Sequence, residues 1–546
     1  MNAPRRAWGA ALPGAALAIH AASAQTLPQI NPNALGNQQL RQQQRLEQEQ
    51  SPDLLPQESP VINQQPAPGS NLPAGGPVFQ LSGVTFDKSA FLTPAELDAI
   101  ASRYVGRKVD LSELRKLTDD VNALYQSKGL VTDSAIVRPQ RVAGGVVHVT
   151  LVEGRLGKAE VQDNVSTSDN YVLQRLPLDP GAVLDVPKLS DDTIFFNRTS
   201  DSQIRVLLQP GASFGQTDVV LAMQEPPRNS LDIFGDNEGV DSTGMWEGGG
   251  LFRRHSTFFS DDRFTAYAVG ALGSFNGNFS YNLPVDVWGD RVGVSYQRNH
   301  INIVQGPFQN LKIAGWGQTG EVDFTHPIIA TQQWLVTANV SGSIATSKTD
   351  QGGFFVAKTT TQKATTGFSV THSTSEHTIT VTPSVSMARS RNGVLDQSRY
   401  VREVGGTGRA FFDIAYDFSL VGLFGAQYSP QRLLPADQLF QIGGATTVRG
   451  YPVDALAGDS GYYVNGELHR SLDQFVHGLD TFIFYDWGSV FAVAPTVRSL
   501  EAVGYGWDYE FRNLASFQFA QAFPLKNRVP NQADFVIYAR VVWHVF

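Results

Sequence analysis

At 546 residues the chain is too long for one ordinary domain, and its formal net charge of −9 argues against a nucleic-acid binder, whose footprint is a basic stripe. It contains no cysteine, which excludes disulfides, thiolate metal sites and thiol nucleophiles. Charged residues make up only 17%, while 51 residues are glycine and 10% are aromatic, a balance that suits a β-rich membrane protein better than a soluble helical one.

Arg5 and Arg6 precede an Ala/Leu-rich stretch ending near Ile19, and Ala22-Ser23-Ala24 supplies a small-residue cleavage pattern before Gln25. Residues 1–24 therefore read as a secretory signal peptide. Pro13, Gly14 and His20 interrupt the stretch, leaving it short of the ~20 apolar residues of an anchor. No later segment is apolar enough to cross a bilayer as a helix, so an exported chain of this kind is soluble or spans as a barrel. Within 25–50, the run from Asn33 to Gln50 is rich in helix formers, yet Leu35, Leu40 and Leu46 are its sizeable apolar groups. Such a helix has no face wide enough to join a hydrophobic core. Composition alone reads it as an unstructured polar tail. Residues 51–76, rich in Pro, Gly, Ser and Asn, read as an extended linker.

Two stretches of similar length follow with one order of elements, β-α-α-β-β. In 77–153, a strand at Val78–Leu81 precedes a helix from Pro94 to Arg103 capped by Thr93, and a longer helix after Asp110. Leu111, Leu114, Leu117, Val121, Leu124 and Tyr125 recur at three- and four-residue spacing, the signature of one buried face. Strands follow near 130–137 and 146–152. In 154–226 a strand begins at Leu156, helices are expected around 171–176 and 188–197, and strands near 204–208 and 218–223 precede Pro226-Pro227. Each small sheet would present an open edge to which an extended chain can add.

Residues 227–546 alternate in apolar and polar character. Ile379, Val381, Pro383, Val385 and Met387 oppose Thr378, Thr380, Thr382, Ser384 and Ser386, and 333–344 behaves alike apart from Leu335. Phe412, Ile414 and Tyr416 similarly oppose Phe411, Asp413, Ala415 and Asp417. This period of two belongs to a soluble sandwich or to a membrane barrel with its apolar face turned toward lipid. The signal peptide, aromatic residues toward strand ends and a final strand ending on Phe546 favour the barrel. Near that end the unbroken apolar set is Phe535, Ile537, Ala539, Val541, Trp543 and Val545, whereas Phe546 shares its parity with Tyr538, Arg540, Val542 and His544. Either a bulge shifts the register or Phe546 lies beyond the lipid-facing run.

One polar constellation stands out. Gly443–Tyr451 reads GGATTVRGY, and thirty-five residues after Tyr451 come Asp486 and then Gly488 in a strand-like aromatic run. An arginine in a glycine-bracketed loop and a carboxylate on a strand can form a charge-assisted, bidentate bond, with Gly450 and Gly488 permitting close backbone approach. Val448, Arg449, Gly450, Tyr451, Asp486 and Gly488 are therefore the candidate latch between a loop and a barrel wall. The chain carries no nucleophile-elbow, zinc-protease-helix or phosphate-loop motif, and His372 with His377 is a weak metal pair. No catalytic residue, cofactor or metal ligand is assigned.

VRGY followed by a D-x-G strand, in this order of segments, resembles the TpsB transporters of two-partner secretion, the ShlB/FhaC/HecB group of the BamA-like superfamily. The resemblance implies a barrel of about 16 antiparallel strands with two periplasmic POTRA domains at 77–153 and 154–226, and a helix from 25–50 lying inside the lumen as a plug. It implies that the VRGY loop is the sixth extracellular loop, folded inward onto the D-x-G strand. It also places the DNEG run at 236–239 in the first barrel hairpin, as a structural feature. The implied activity is export of a large haemolysin- or adhesin-like exoprotein across the outer membrane of a Gram-negative bacterium, driven by folding of the passenger outside. The implied partners are that exoprotein, held by the POTRA domains, and outer-membrane lipids, with the transporter acting as a monomer and no nucleic acid involved. Two rival readings are a BamA-like barrel assembly factor and a POTRA-bearing outer-membrane enzyme; a passive porin is weaker, having no use for periplasmic modules.

Overall fold

The computed structural model describes residues 32–50, 61–63, 75–492, 497–526, 529 and 532–546. The signal peptide and most of the 51–76 linker lie outside the described residues. Sixteen strands, from Asn229–Asp236 to Val536–His544, close into one antiparallel barrel in which the last strand pairs with the first. No described helix is long and apolar enough to cross a membrane.

The expected alternation sets which way each strand faces. On His377–Asn392, Val385 and Met387 are exposed while Ser386 and Ser390 are buried, and on Trp334–Gln351, Val340 and Ile344 point out while Ser347 points in. An oily exterior around a hydroxyl-lined interior is the pattern of a membrane barrel. One expected strand ends sooner than its pattern. Gln397–Ile414 stops before Tyr416 and Asp417, which sit in a turn at φ +65° and +62°. The terminal register also resolves. The last strand pairs continuously and ends at His544, with Ile537, Val541 and Trp543 facing out and Tyr538, Arg540 and Val542 facing in. Phe546 thus lies beyond the strand, and no bulge interrupts its pairing.

Two α+β modules precede the barrel. In the first, Thr93 caps Pro94–Ala101 (α2, following the lumen helix α1 at Pro32–Gln50) with a complete capping box, and Asp110 caps Leu111–Ser127 (α3). Leu114, Leu117, Val121 and Tyr125 of α3 pack on Val147 and Val149 of a three-stranded sheet. In the second, Asp169–Arg175 (α4) and Val186–Thr199 (α5) bury Val172, Leu189 and Phe196 against Ile204, Val206, Leu208, Val219 and Leu221. Its sheet carries one strand more than expected, four instead of three, because Val61–Asn63 of the linker pairs in parallel with Gln203–Pro210 and covers that edge, while Arg155–Gln162 forms the other edge.

Between the modules, Asp133 accepts the Gly154 N–H at 2.8 Å, and burial pushes its carboxyl up to about 7. A folded pKa raised above its unfolded value means stability is greatest below about pH 4 and is lost as pH rises through about 7, by up to about 4 kcal/mol. Asp133→Asn keeps the acceptor and removes the charge. It is expected to flatten the pH dependence of the protection factors in Val146–Val152, which should otherwise fall between about pH 4 and 7 in the parent once the intrinsic, base-catalysed exchange rate is divided out.

The second module is keyed to the barrel's near end. Asp261, in the turn 256–262, accepts the backbone N–H groups of Asp201 and Ser202 at 2.9 and 3.2 Å and pairs with Arg291 at 2.8 Å. Tyr171 donates to the same carboxylate at 3.2 Å, and Arg175 reaches the Val287 carbonyl at 3.3 Å. These bonds join α4 and the end of α5 to two neighbouring turns.

Candidate functional site

The barrel lumen is occupied by α1 from one side and by the loop 429–459 from another. A helix with so little apolar surface is stable there because the wall is polar. Gln297 donates to the Gly36 carbonyl and Asn278 to the Gln43 carboxamide oxygen, each at 2.9 Å, and Gln42 donates to Glu247 at 3.3 Å. Among its described side chains, Leu46 joins an apolar cluster, with Phe234, Leu251, Tyr267, Val269 and Val542. Charge ties the helix in two directions, Arg41 to Asp454 of the loop at 3.3 Å and Arg45 to Glu238 at 3.5 Å.

The loop 429–459 joins the eleventh and twelfth strands and folds back against the wall. Its arginine, Arg449, engages Asp486 of strand Leu479–Phe491 in a fork. Nε and Nη2 donate to the two carboxylate oxygens at 2.8 Å each, and the Arg449 backbone N–H donates at 3.0 Å. Asp486 is fully buried and Arg449 is 8% exposed, so the pair is screened little by water. Two further contacts were not legible in the motif. Nη1 meets Glu467 of Ser460–Ser471 at 2.6 Å, and the guanidinium lies 3.5 Å over the Phe484 ring.

The remaining motif residues surround this bond. Val448 is buried with Ile442, Leu500 and Ala502. Gly450 has φ +85°, a left-handed backbone that favours glycine, and its N–H donates to the Tyr538 hydroxyl at 2.9 Å. The Tyr451 hydroxyl lies between the carbonyls of Glu501, at 2.9 Å, and Lys526, with one proton to give to either. At Gly488 a Cβ would stand 3.0 Å from Val448 and 3.2 Å from Ile442, so a side chain here would push these two loop residues back by a few tenths of an ångström. All six candidate residues thus meet in one place.

The DNEG run does more than shape a hairpin. Asp236 and Glu238 hold Arg540 of the last strand at 3.3 and 2.7 Å, with all three side chains at most 4% exposed. Asn237 accepts from the Ala539 N–H and donates to the Ile537 carbonyl, both at 2.8 Å. These bonds reinforce the barrel's closing seam, where only Asp232–Asp236 and Arg540–His544 pair in the ladder. Sequence reasoning missed Arg540. Its signal was a lone arginine in the polar set of the final strand, opposite an unbroken apolar one. Because Arg45 reaches Glu238, α1 touches the seam as well as the loop.

His372 and His377 bond each other at 3.1 Å between the rings of Trp334 and Phe412. His469, Asp480 and Asp508 cluster on neighbouring strands, but the imidazole already faces Asp480 at 2.7 Å and Glu467 at 3.0 Å.

The family model for haemolysin secretion/activation proteins ShlB/FhaC/HecB matches residues 215–510, and the ShlB-type POTRA domain model matches 79–154. The heme/hemopexin transporter protein HuxB of Haemophilus influenzae (strain 86-028NP) is 21% identical over 464 residues, covering 80% of this chain and 81% of its own. The outer membrane transporter CdiB of Dickeya dadantii is 22% identical, with 81% of each chain covered, and the hemolysin transporter protein ShlB of Serratia marcescens is 22% identical, with 74% of each covered. Among solved structures, CdiB from Escherichia coli matches with TM-score 0.66 at 19% identity over 94% of this chain and 98% of its own. BamA from Haemophilus ducreyi lacking POTRA domains 1–3 matches with TM-score 0.51 at 12% identity, over 85% and 100%.

Proposed function

Because the chain belongs to the haemolysin secretion/activation family ShlB/FhaC/HecB, we infer that it is the outer-membrane pore of a two-partner secretion system, exporting a large partner exoprotein to the cell surface. One observation carries the mechanism. A polar helix fills a polar lumen and is held there by charge contacts to the inward loop and to the closing seam.

Residues 25–50 form the movable plug, 51–76 its linker, 77–153 and 154–226 two periplasmic POTRA domains, and 227–546 the membrane barrel; residues 1–24 direct export and are then removed. The apolar exterior contacts outer-membrane lipids, and a single chain suffices because one closed barrel contains the whole lumen. The POTRA domains receive the exoprotein while it is still extended. The wall of the pore contributes no chemistry to the passenger; its work is binding, gating and release. Val448, Arg449, Gly450, Tyr451, Asp486 and Gly488 hold the loop 429–459 in the conducting geometry. A barrel assembly factor shares this fold but has no use for a helix filling the lumen.

Two measurements test the reading. Co-expression with its large exoprotein should place that protein outside the cell, and cells lacking this chain should retain it. In planar bilayers, deletion of Pro32–Gln50 should turn a mostly closed channel into one of steady, larger conductance, because the polar wall then faces water instead of the helix. Unchanged conductance after the deletion would refute the plug.

A further inference from the structure

The outward wall of the barrel changes character toward one end. On His377–Asn392 the outward side chains are Ile379, Val381, Pro383, Val385 and Met387, followed by Arg389 and Arg391. On Gln397–Ile414 the corresponding row runs from Ile414 back through Ala410 to Val404, then to Arg402 and Tyr400. From Ile379 to Met387 the strand rises about 27 Å, or about 20 Å across the bilayer at the usual tilt. Arg389, Arg391 and Arg402 therefore stand where the hydrocarbon ends. Turns alternate between the two ends of an antiparallel barrel, and the turn 256–262 is keyed to the second module. The turns 352–353 and 393–396, beside these arginines, thus lie at the opposite, cell-surface end.

The neighbouring strand Phe354–Ser373 adds Lys358 to the same outward level, paired directly with Lys348 of Trp334–Gln351. Like charges in directly opposed positions repel unless an anion lies beside them. Asp350 meets Lys348 at 2.9 Å and Asp396 meets Arg391 at 2.6 Å. Lys358, Arg389 and Arg402 are exposed and, among the described residues, make no ion pair. Five cations thus face two carboxylates over four adjacent strands, a width of about 15 Å. Phe355 and Tyr400 lie among them, 51% and 68% exposed. The Lys348 ammonium stands 5.6 Å from the centre of the first ring and the Arg389 guanidinium 5.8 Å from that of the second.

We propose that Lys358, Arg389, Arg391 and Arg402, with Lys348 at one margin, bind the phosphate groups of lipopolysaccharide in the outer leaflet. These cations continue the lipid-facing rows of Met387 and Val404, so their ligand is a component of the membrane; a chain passing through the lumen would meet the opposite face. A phosphorylated saccharide at this depth carries its charge level with the cations and lays its acyl chains along the apolar rows beneath. Guanidinium forks match phosphate oxygens, and exposed aromatic rings suit the boundary between headgroup and acyl chain. The inference needs the barrel and its membrane, not the exported partner.

The test titrates the full-length protein, freed of lipid in detergent, with fluorescent lipopolysaccharide, with the same glycolipid stripped of its phosphates, and with phosphatidylglycerol. Binding of lipopolysaccharide to the parent should saturate. The combined variant Lys358→Gln, Arg389→Gln, Arg391→Gln and Arg402→Gln should weaken it more than about tenfold, with melting temperature and channel conductance unchanged. Stripping the phosphates should cost the parent a similar factor and the variant little. Arg298→Gln, at an outward arginine of Arg291–Asn302 beyond the patch, should leave binding as it was. Should the fourfold variant not fold, Arg389→Gln with Arg402→Gln makes the same comparison with a loss of severalfold. Equal binding by parent and variant, or by intact and stripped glycolipid, would overturn the site. Phosphatidylglycerol competing as well as lipopolysaccharide would overturn the choice of ligand, leaving only attraction to any phosphate headgroup.

Discussion

Replacing Arg449 by alanine is expected to reduce export more than tenfold without lowering the amount of barrel in the membrane, and replacement by lysine to reduce it severalfold. Arg449→Ala leaves the fully buried Asp486 without its cation and the nearby Glu467 with only His469. Losing one partner of a buried pair costs about 3–5 kcal/mol. That is enough to release the loop 429–459, whose ordering must be offset by such contacts. Lysine preserves the charge but neither the fork onto both Asp486 oxygens nor the flat stacking over Phe484 at 3.5 Å. The measurement is exoprotein in the medium normalised to surface-labelled transporter, together with protease sensitivity of the loop. Wild-type export by both variants would dismiss the latch.

Arg540→Met is the second large effect. It leaves Asp236 buried without its cation, and Glu238 with only the longer contact to Arg45, at the seam where the ladder is shortest. The barrel in detergent should melt about 10 °C lower, in line with a loss of about 3–5 kcal/mol. Adding Asp236→Asn and Glu238→Gln should recover most of that loss, because the uncompensated charges are then gone. The triple variant also removes the carboxylate that holds Arg45 at 3.5 Å, so it should close the seam while loosening the plug. Channel recordings would then show more frequent opening at nearly wild-type melting temperature. An Arg540→Met barrel that melts with the parent would show that backbone pairing alone holds the seam.

The sequence by itself determined much of the barrel, because a period of two with one apolar face admits few structures once the chain is known to be exported. It also determined the helices of the two modules, where caps at Thr93 and Asp110 and the spacing of Leu114, Leu117 and Val121 are local signals. The meeting of Arg449 with Asp486 was legible because each sits in a distinctive run. Their neighbours were not, since Glu467 and Phe484 carry no motif of their own.

Only the tertiary structure decided the contacts that span hundreds of residues. Composition read Asn33–Gln50 as a polar tail; the lumen wall makes it a helix, because Asn278 and Glu247 meet the side chains of Gln43 and Gln42, and Gln297 the Gly36 carbonyl, polar groups that no hydrophobic core would accept. Asp236 and Arg540 lie at the two ends of the barrel sequence and meet only when the sheet closes. The three linker residues on the second module's edge could not be foreseen either, since backbone pairing leaves no imprint on side-chain pattern in so short a strand. Periodicity records which way a residue faces; it does not record which residue it faces, and closure of the barrel supplies that.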